Sequence, residues 1–377
     1  MALSATWDRM LDPWNRLARE NVAVGFVDTL LRGTGQVMFQ NNPITGLLFL
    51  VGIFYNSYQL GIAGVIGLLA STVAAMVLGA DRNLIRAGLF GFNGILTGIG
   101  LAFFIQLQWS PVLVVYIIFG GVLSTIVFMA LANFFSTWDM PALTAPFVLT
   151  TWLFLFAVLL FANLHLGVLV NPALPKPSAA VYPILRPSPT DLTTGAGVTV
   201  VNLLQSFFRG VGEVFFQNNL VTGIIFLIAI LINSRVSALF AALGSIVGLV
   251  TAQWLLGVDG YATYIGLYGF NGVLCGIAIG GVFYVITWKS GIYALLCALV
   301  SAVVFASLTA FLSPLGMPAL TAPFVLTTWL FLLPKASFHV LQPVPLAEVA
   351  APEQVRRRFL EKERAASVER HAAQQGS

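Results

Sequence analysis

The sequence predicts an all-α polytopic membrane protein built as two inverted repeats, each with five transmembrane helices and one re-entrant half-helix. Three observations lead there. The 377-residue chain is 58% hydrophobic and 8% charged, with a mean hydropathy of +0.92, where a soluble domain carries about 25% charged residues. Its apolar body divides into runs of about 20 residues, the length a helix needs to cross the hydrocarbon core of a bilayer. The third is a repeat: MPALTAPFVLTTWLFL, Met140 to Leu155, returns unchanged at Met317 to Leu332, an offset of 177.

Charge is pushed to the ends. Of 32 charged residues, 6 lie in residues 1–20 and 11 follow Val340. The basic groups Arg9, Arg16, Arg19 and Arg356, Arg357, Arg358 mark cytoplasmic segments, so both termini are expected in the cytoplasm of a cell membrane protein (the inner membrane for a bacterial source). A formal charge of +4 arranged this way, with no basic patch alternating with aromatics, argues against nucleic acid as a partner and leaves the lipid bilayer. No compact apolar stretch with a small-residue cleavage site opens the chain, so a cleaved signal peptide is not expected. Cys275 and Cys297 fall in apolar runs without metal or disulfide spacing and read as small core residues.

In chain order, an N-terminal cytoplasmic segment (1–19) precedes a first transmembrane repeat (20–170) with spans near 20–40, 44–58, 60–79, 110–134 and 142–168. Asn41-Asn42-Pro43, residues 56–61, residues 81–86, Trp109-Ser110-Pro111 and Asp139-Met140-Pro141 separate them. Residues 171–195 hold six prolines and read as an extended extramembrane linker. The second repeat (196–340) has spans near 198–217, 221–234, 237–256, 290–311 and 319–340. A polar tail (341–377), rich in Glu, Arg and Ala, is expected as a short helix or disordered cytoplasmic segment without a transport role.

Between the third and fourth spans of each repeat lies an apolar block broken by glycines. GLFGFNGILTG, Gly88 to Gly98, returns as GLYGFNGVLCG, Gly266 to Gly276, at an offset of 178. Closely spaced glycines suit a straight lipid-facing helix poorly, and irregular backbone at membrane depth survives only when buried in protein or beside water. Each block therefore reads as a re-entrant half-helix, against the alternative of a sixth span with small residues for close packing. Five spans per repeat invert the second copy, and six would leave the copies parallel. The linker, with Lys176 and Arg186 against Asp191, resembles an outer loop and favours the inverted arrangement.

Candidate functional residues come from the duplicated blocks. Pro146 and Pro323 lack the amide hydrogen a regular helix would use, freeing a carbonyl near Ala142 and Ala319. Thr144 and Thr321 add a hydroxyl each at these entrances, unless they bond back within their own helices. In a third block, LRGTGQVMFQNN from Leu31 returns as FRGVGEVFFQNN from Phe208, placing Gln36 opposite Glu213. A carboxylate in an apolar run is a functional suspect, although a local pair with Arg209 would also explain it. Asp28 and Arg32 read as a local structural pair, and His165 and His339 as interface or core residues. Recurrent Phe39 with Phe216, Phe92 with Phe270, and Leu96 with Leu274 line up beside these polar positions. Enzyme signatures, cofactor motifs and metal-ligand spacings are missing.

LRGTGQVMFQNNPITG, GLFGFNGILTG and MPALTAPFVLTTW resemble the signature segments of urea transporters, over roughly residues 20–340. The resemblance implies ten spans plus two re-entrant helices, a homotrimer and a separate pore in each protomer. Carried over by motif position, it implies Gln36, Phe39, Phe92, Leu96, Thr144, Glu213, Phe216, Phe270, Leu274 and Thr321 as substrate-binding pore residues. Leu220 stands where the first copy has Pro43, and Cys275 where it has Thr97. The expected activity is channel-like facilitated diffusion of urea through a selectivity filter, with no cofactor. The rivals are a channel for ammonia or other small neutral amides, and a proton-coupled carrier using Glu213.

Overall fold

The computed structural model describes residues 2–105, 109–167, 170–175, 199–258 and 260–375. Among these, sixteen α-helices follow one another: α1 Ala2–Glu20, α2 Val22–Gln36, α3 Pro43–Asn56, α4 Tyr58–Val77, α5 Arg82–Arg86, α6 Gly91–Phe104, α7 Pro111–Ser136, α8 Ala145–Val158, α9 Val200–Gly212, α10 Leu220–Asn233, α11 Arg235–Val250, α12 Gly260–Tyr264, α13 Phe270–Ile277, α14 Trp288–Leu312, α15 Ala322–Leu332 and α16 Pro352–Gln375. Tight 3-10 turns extend α9, α14 and α15, and wider π-helical turns extend α11 and α13. The described residues hold two isolated antiparallel bridges, Ile105 with Leu166 and Tyr284 with Pro343.

The polar separators in the sequence act as helix caps. Asn42, Ser57, Ser110, Asn219 and Ser234 each accept a backbone N–H of the helix that follows. That satisfies donors a helix start would otherwise strand. Pro43 and Pro111 occupy the first turn, where a missing N–H costs nothing.

Four described helices are long and apolar enough to cross a bilayer alone: Tyr58–Val77, Pro111–Ser136, Arg235–Leu256 and Trp288–Leu315. The remaining apolar helices are shorter, and Val200–Phe215 with Leu220–Asn233 form a pair bent by 73°. Two expected spans are much shorter than the apolar runs that suggested them. Where 142–168 and 319–340 were expected, α8 has 14 residues and α15 has 11. At 1.5 Å per residue these reach about 15–20 Å, against about 30 Å of hydrocarbon. The reasons are local. α15 tightens into a turn at Leu333–Ser337, which contains Pro334, and beyond α8 the chain turns so that Gly167 N–H donates to Phe104 O at 2.8 Å. Hydropathy counts these apolar exits as helix.

Glycine blocks behave as expected of buried segments: every residue of α13, and every residue of α6 except Phe103, is buried. They pack by backbone approach. A methyl group placed on Gly94 would lie 2.5 Å from Gly67 O on α4, and one on Gly272 would lie 2.4 Å from Gly244 O on α11. Small residues at these crossings let helices without side-chain volume between them gain close packing.

The two copies hold each other through reciprocal contacts. Thr45 near the start of α3 donates to Ala229 O near the end of α10 at 2.8 Å, and Thr222 near the start of α10 donates to Gly52 O in α3 at 3.0 Å. α3 and α10 therefore run antiparallel. Asn56 donates to Gln217 and Asn233 to Gln40, both at 2.8 Å, and Phe49, Phe215 and Phe226 pack between the helices. One apolar core runs through both halves. Of the expected linker, 171–175 has no regular structure and Ala173 N–H donates to Ser313 O at 2.9 Å; residues 176–195 lie outside the described residues.

Gly94→Ala and Gly272→Ala are expected to lower the thermal melting midpoint sharply, since overpacking costs about 1–3 kcal/mol. Gly291→Ala, whose new methyl would meet only the Phe240 ring at 3.5 Å, should leave the midpoint unchanged or raise it. Fluorescence-detected size-exclusion after heating reads both.

Candidate functional site

Helices α8 and α15 begin without the usual cap. Thr144 and Thr321 occupy the N-cap positions, yet neither side chain bonds its own helix. Their hydroxyls bond each other at 2.6 Å, across the two halves. The acceptor each helix start lacks comes from elsewhere. Asn93 Oδ1 of α6 accepts Phe147 N–H at 3.1 Å, and Asn271 Oδ1 of α13 accepts Phe324 N–H at 3.0 Å. Phe147 and Phe324 are the third residues of their helices, whose amides an N-cap side chain ordinarily serves. Capping from outside is what leaves both threonine hydroxyls for one another.

The approach to each cap is strained. Leu143 and Leu320 have φ of 54° and 52°, left-handed values unfavourable for branched residues. The carbonyls expected to be free near the prolines are engaged: Ala142 O accepts Ala145 N–H at 3.2 Å and Ala319 O accepts Ala322 N–H at 3.1 Å. The reason is that the left-handed residue folds the chain into a turn just ahead of the helix. Trp152 Nε1 donates to Pro318 O at 2.8 Å, and Trp329 Nε1 to Pro141 O at 2.9 Å. Each copy thus pins the other's opening turn.

Phe39 and Phe216 are also left-handed, with φ of 62° and 60°. In each case the helix ends at the equivalent of Gln36 or Glu213, and the turn throws the ring inward. Gln40 and Gln217, fully buried, brace these turns by donating to Met38 O and Phe215 O at 2.6 Å. The Phe39 ring meets Phe324 at 6.1 Å and Phe283 at 5.7 Å, both edge-on. The Phe216 ring meets Phe147 at 6.1 Å, Phe104 at 5.8 Å and Phe103 at 5.4 Å. Each half's aromatic therefore rests on the other half's helix opening. A continuous line of contacts results: Phe216 to Phe147, then Thr144 to Thr321, then Phe324 to Phe39.

The remaining candidates sit around this line. Gln36 Nε2 donates to Ala87 O at 2.9 Å. Glu213 is partly buried, and its side chain makes no hydrogen bond or direct ion pair among the described residues. No direct ion pair joins it to Arg209 among the described residues; the Arg209 guanidinium lies 4.2 Å over the Tyr264 ring. Phe92 stacks edge-on against Phe128 and Phe270 against Phe305, each at 5.8 Å, and Leu96 and Leu274 are fully buried. Among the described residues no hydrogen bond joins Gln36 or Glu213 to the threonine pair.

Asp28 and Arg32 do pair locally, at 2.7 Å, and Trp14 and Asn15 of α1 bond them. His165 and His339 are exposed rather than core residues. The described residues hold no cluster of three metal-binding side chains. Residue reasoning passed over Asn93, Asn271, Trp152 and Trp329. The signal was present, since all four recur within the duplicated blocks.

Comparison with known proteins bears on this arrangement. The profile of a family described as Urea transporter matches residues 27–336. Urea transporter 1 of Ovis aries is 34% identical over 356 residues, and that of Rattus norvegicus 35% identical over 348 residues. Each alignment covers 92% of this chain and 87% of the relative.

Asn93→Ala and Asn271→Ala are each expected to lower stability by about 1–2 kcal/mol through the lost cap. The loss should appear as a reduced melting midpoint in detergent. Asn→Ser, too short to reach the neighbouring helix, should not restore it.

Proposed function

The chain belongs to the urea transporter family, and we propose that it carries urea passively across the cell membrane through a narrow slot within each protomer. The observation that carries this reading is the 2.6 Å bond between Thr144 and Thr321, flanked on each side by an aromatic cluster. Urea is planar and neutral, with four N–H donors on two edges and one carbonyl acceptor. Flat aromatic walls admit a plane but replace none of the water an ion would lose, so ions are excluded.

At the constriction the two threonines are 2% and 3% exposed, and a passing molecule has to exchange the mutual bond of their hydroxyls for bonds to itself. Since a hydrogen bond nets only about 0.5–1.5 kcal/mol against water, that exchange is close to neutral and favours passage over capture. Gln36 and Glu213, each three residues ahead of an aromatic, supply acceptors toward the two mouths. Phe92, Leu96, Phe270 and Leu274 form the apolar wall beside them.

We read residues 20–170 and 196–340 as inverted repeats. The antiparallel pairing of α3 with α10 and the meeting of α8 and α15 at their N-terminal ends support this, as does the burial of α6 and α13, which suits re-entrant half-helices. With an even number of crossings both termini fall on one side, the cytoplasm, where the terminal basic residues favour them. A homotrimer with one slot per protomer completes the reading.

Radiolabelled urea uptake into proteoliposomes tests it. Uptake should exceed that of protein-free vesicles and need no proton or sodium gradient. A strict gradient requirement, abolished in Glu213→Gln, would favour a coupled carrier instead, and flux of ammonia without urea a different channel. Thr144→Val and Thr321→Val should each slow urea flux by about two- to tenfold, the worth of one hydrogen bond, with unchanged melting midpoints.

A further inference from the structure

The polar tail is not a free appendage. Glu353, in the first turn of α16, accepts from Ser234 Oγ at 2.8 Å and from Val236 N–H at 3.0 Å. Ser234 is the N-cap of α11, and the same hydroxyl oxygen accepts Ser237 N–H at 2.9 Å. One carboxylate thus faces the N-terminal ends of two helices, where unpaired amides favour a negative charge. Beside it Pro352 packs on Gly281, so closely that a methyl on Gly281 would lie 2.6 Å from the proline Cβ. Val355 is buried with Val285 and Val344.

This docking reaches the slot. The stretch before α16 runs against the segment that leaves α13: Val344 N–H donates to Phe283 O and Val285 N–H to Gln342 O, both at 2.9 Å. Phe283 is the ring that meets Phe39 edge-on. Asp139 ties down the same stretch from the other half, accepting Leu346 N–H at 3.1 Å and Lys335 Nζ at 3.0 Å. The other mouth is built differently. There Gly167 N–H donates to Phe104 O in the equivalent way, but Ser57, the cap equivalent to Ser234, receives no carboxylate among the described residues.

We propose that Glu353 is a positioning residue for transport: by docking the tail it holds the Phe283 segment, and through it the Phe39 ring, so that the tail clamps one mouth of the slot. This rests on the slot reading above and gives the tail a role the sequence did not suggest. A released Phe283 would let the Phe39 ring tilt and admit molecules wider than urea, such as thiourea with its larger sulfur.

The test compares initial rates of radiolabelled urea and thiourea in proteoliposomes for the wild type, Glu353→Ala, Glu353→Gln and Ser234→Ala. Glu353→Ala should raise the thiourea-to-urea rate ratio about threefold or more, as expected when a pocket wall that sets discrimination loosens. Ser234→Ala should move it the same way by less. Glu353→Gln, which keeps an acceptor for Val236 N–H but loses the charge, should fall between Glu353→Ala and the wild type. A conducting wild type beside Glu353→Ala and Ser234→Ala variants with unchanged ratios would overturn the clamp and leave the slot standing. A wild type that conducts no urea would overturn both. If Glu353→Ala yields no folded protein, Ser234→Ala decides alone, since it removes one of the two bonds to Glu353 and keeps the carboxylate and its bond to Val236 N–H.

Discussion

Capping from outside is the constraint on which the site depends. A helix start carries amides that need acceptors, and the residue best placed to serve them is the N-cap side chain. At α8 and α15 that residue is a threonine turned away from its own helix. Such an arrangement is tolerable only because Asn93 and Asn271 reach across to take over the bond. Without them the hydroxyls of Thr144 and Thr321 would be drawn back to their own helices, and their bond across the two halves would be lost. The asparagines in turn are held in place by glycine crossings that press α6 onto α4 and α13 onto α11.

The same economy governs the aromatic clusters. Phe39 and Phe216 hold left-handed backbone conformations that cost energy for residues with a side chain. Buried glutamines brace their turns, and each glutamine is braced by an asparagine of the opposite half. Strain at these positions is therefore carried by contacts between the halves. Folding either copy alone would leave Phe39 and Phe216 without Phe324 and Phe147 to rest on. Each half therefore depends on the other, because neither copy supplies both rings of these pairs.

How far the sequence could be read depended on which kind of residue was asked. Thr144 and Thr321 were legible because they stand in an unchanged sixteen-residue repeat behind paired prolines. Helix starts at Asn42, Ser57 and Ser110 were legible because polar residues and prolines punctuate apolar runs. The lengths of α8 and α15 were not, since hydropathy cannot separate an apolar helix from an apolar exit. Arg209 illustrates another limit: its spacing from Glu213 permitted a pair on one helix face, whereas its guanidinium lies over the Tyr264 ring.

The sequence by itself determined a membrane-embedded helical protein, duplicated, with three blocks retained in both copies, because composition and internal repetition are properties of the chain alone. It also singled out the threonines, aromatics and the Gln36 and Glu213 positions. Only the tertiary structure decided what those residues touch: that the threonines bond each other, that the asparagines serve the neighbouring helices, and that Glu353 anchors the tail at the start of α11. The physical reason is that each of these contacts joins residues far apart in the chain, and the threonine pair joins the two halves. Their distances are set by helix crossings, and no local pattern encodes a crossing.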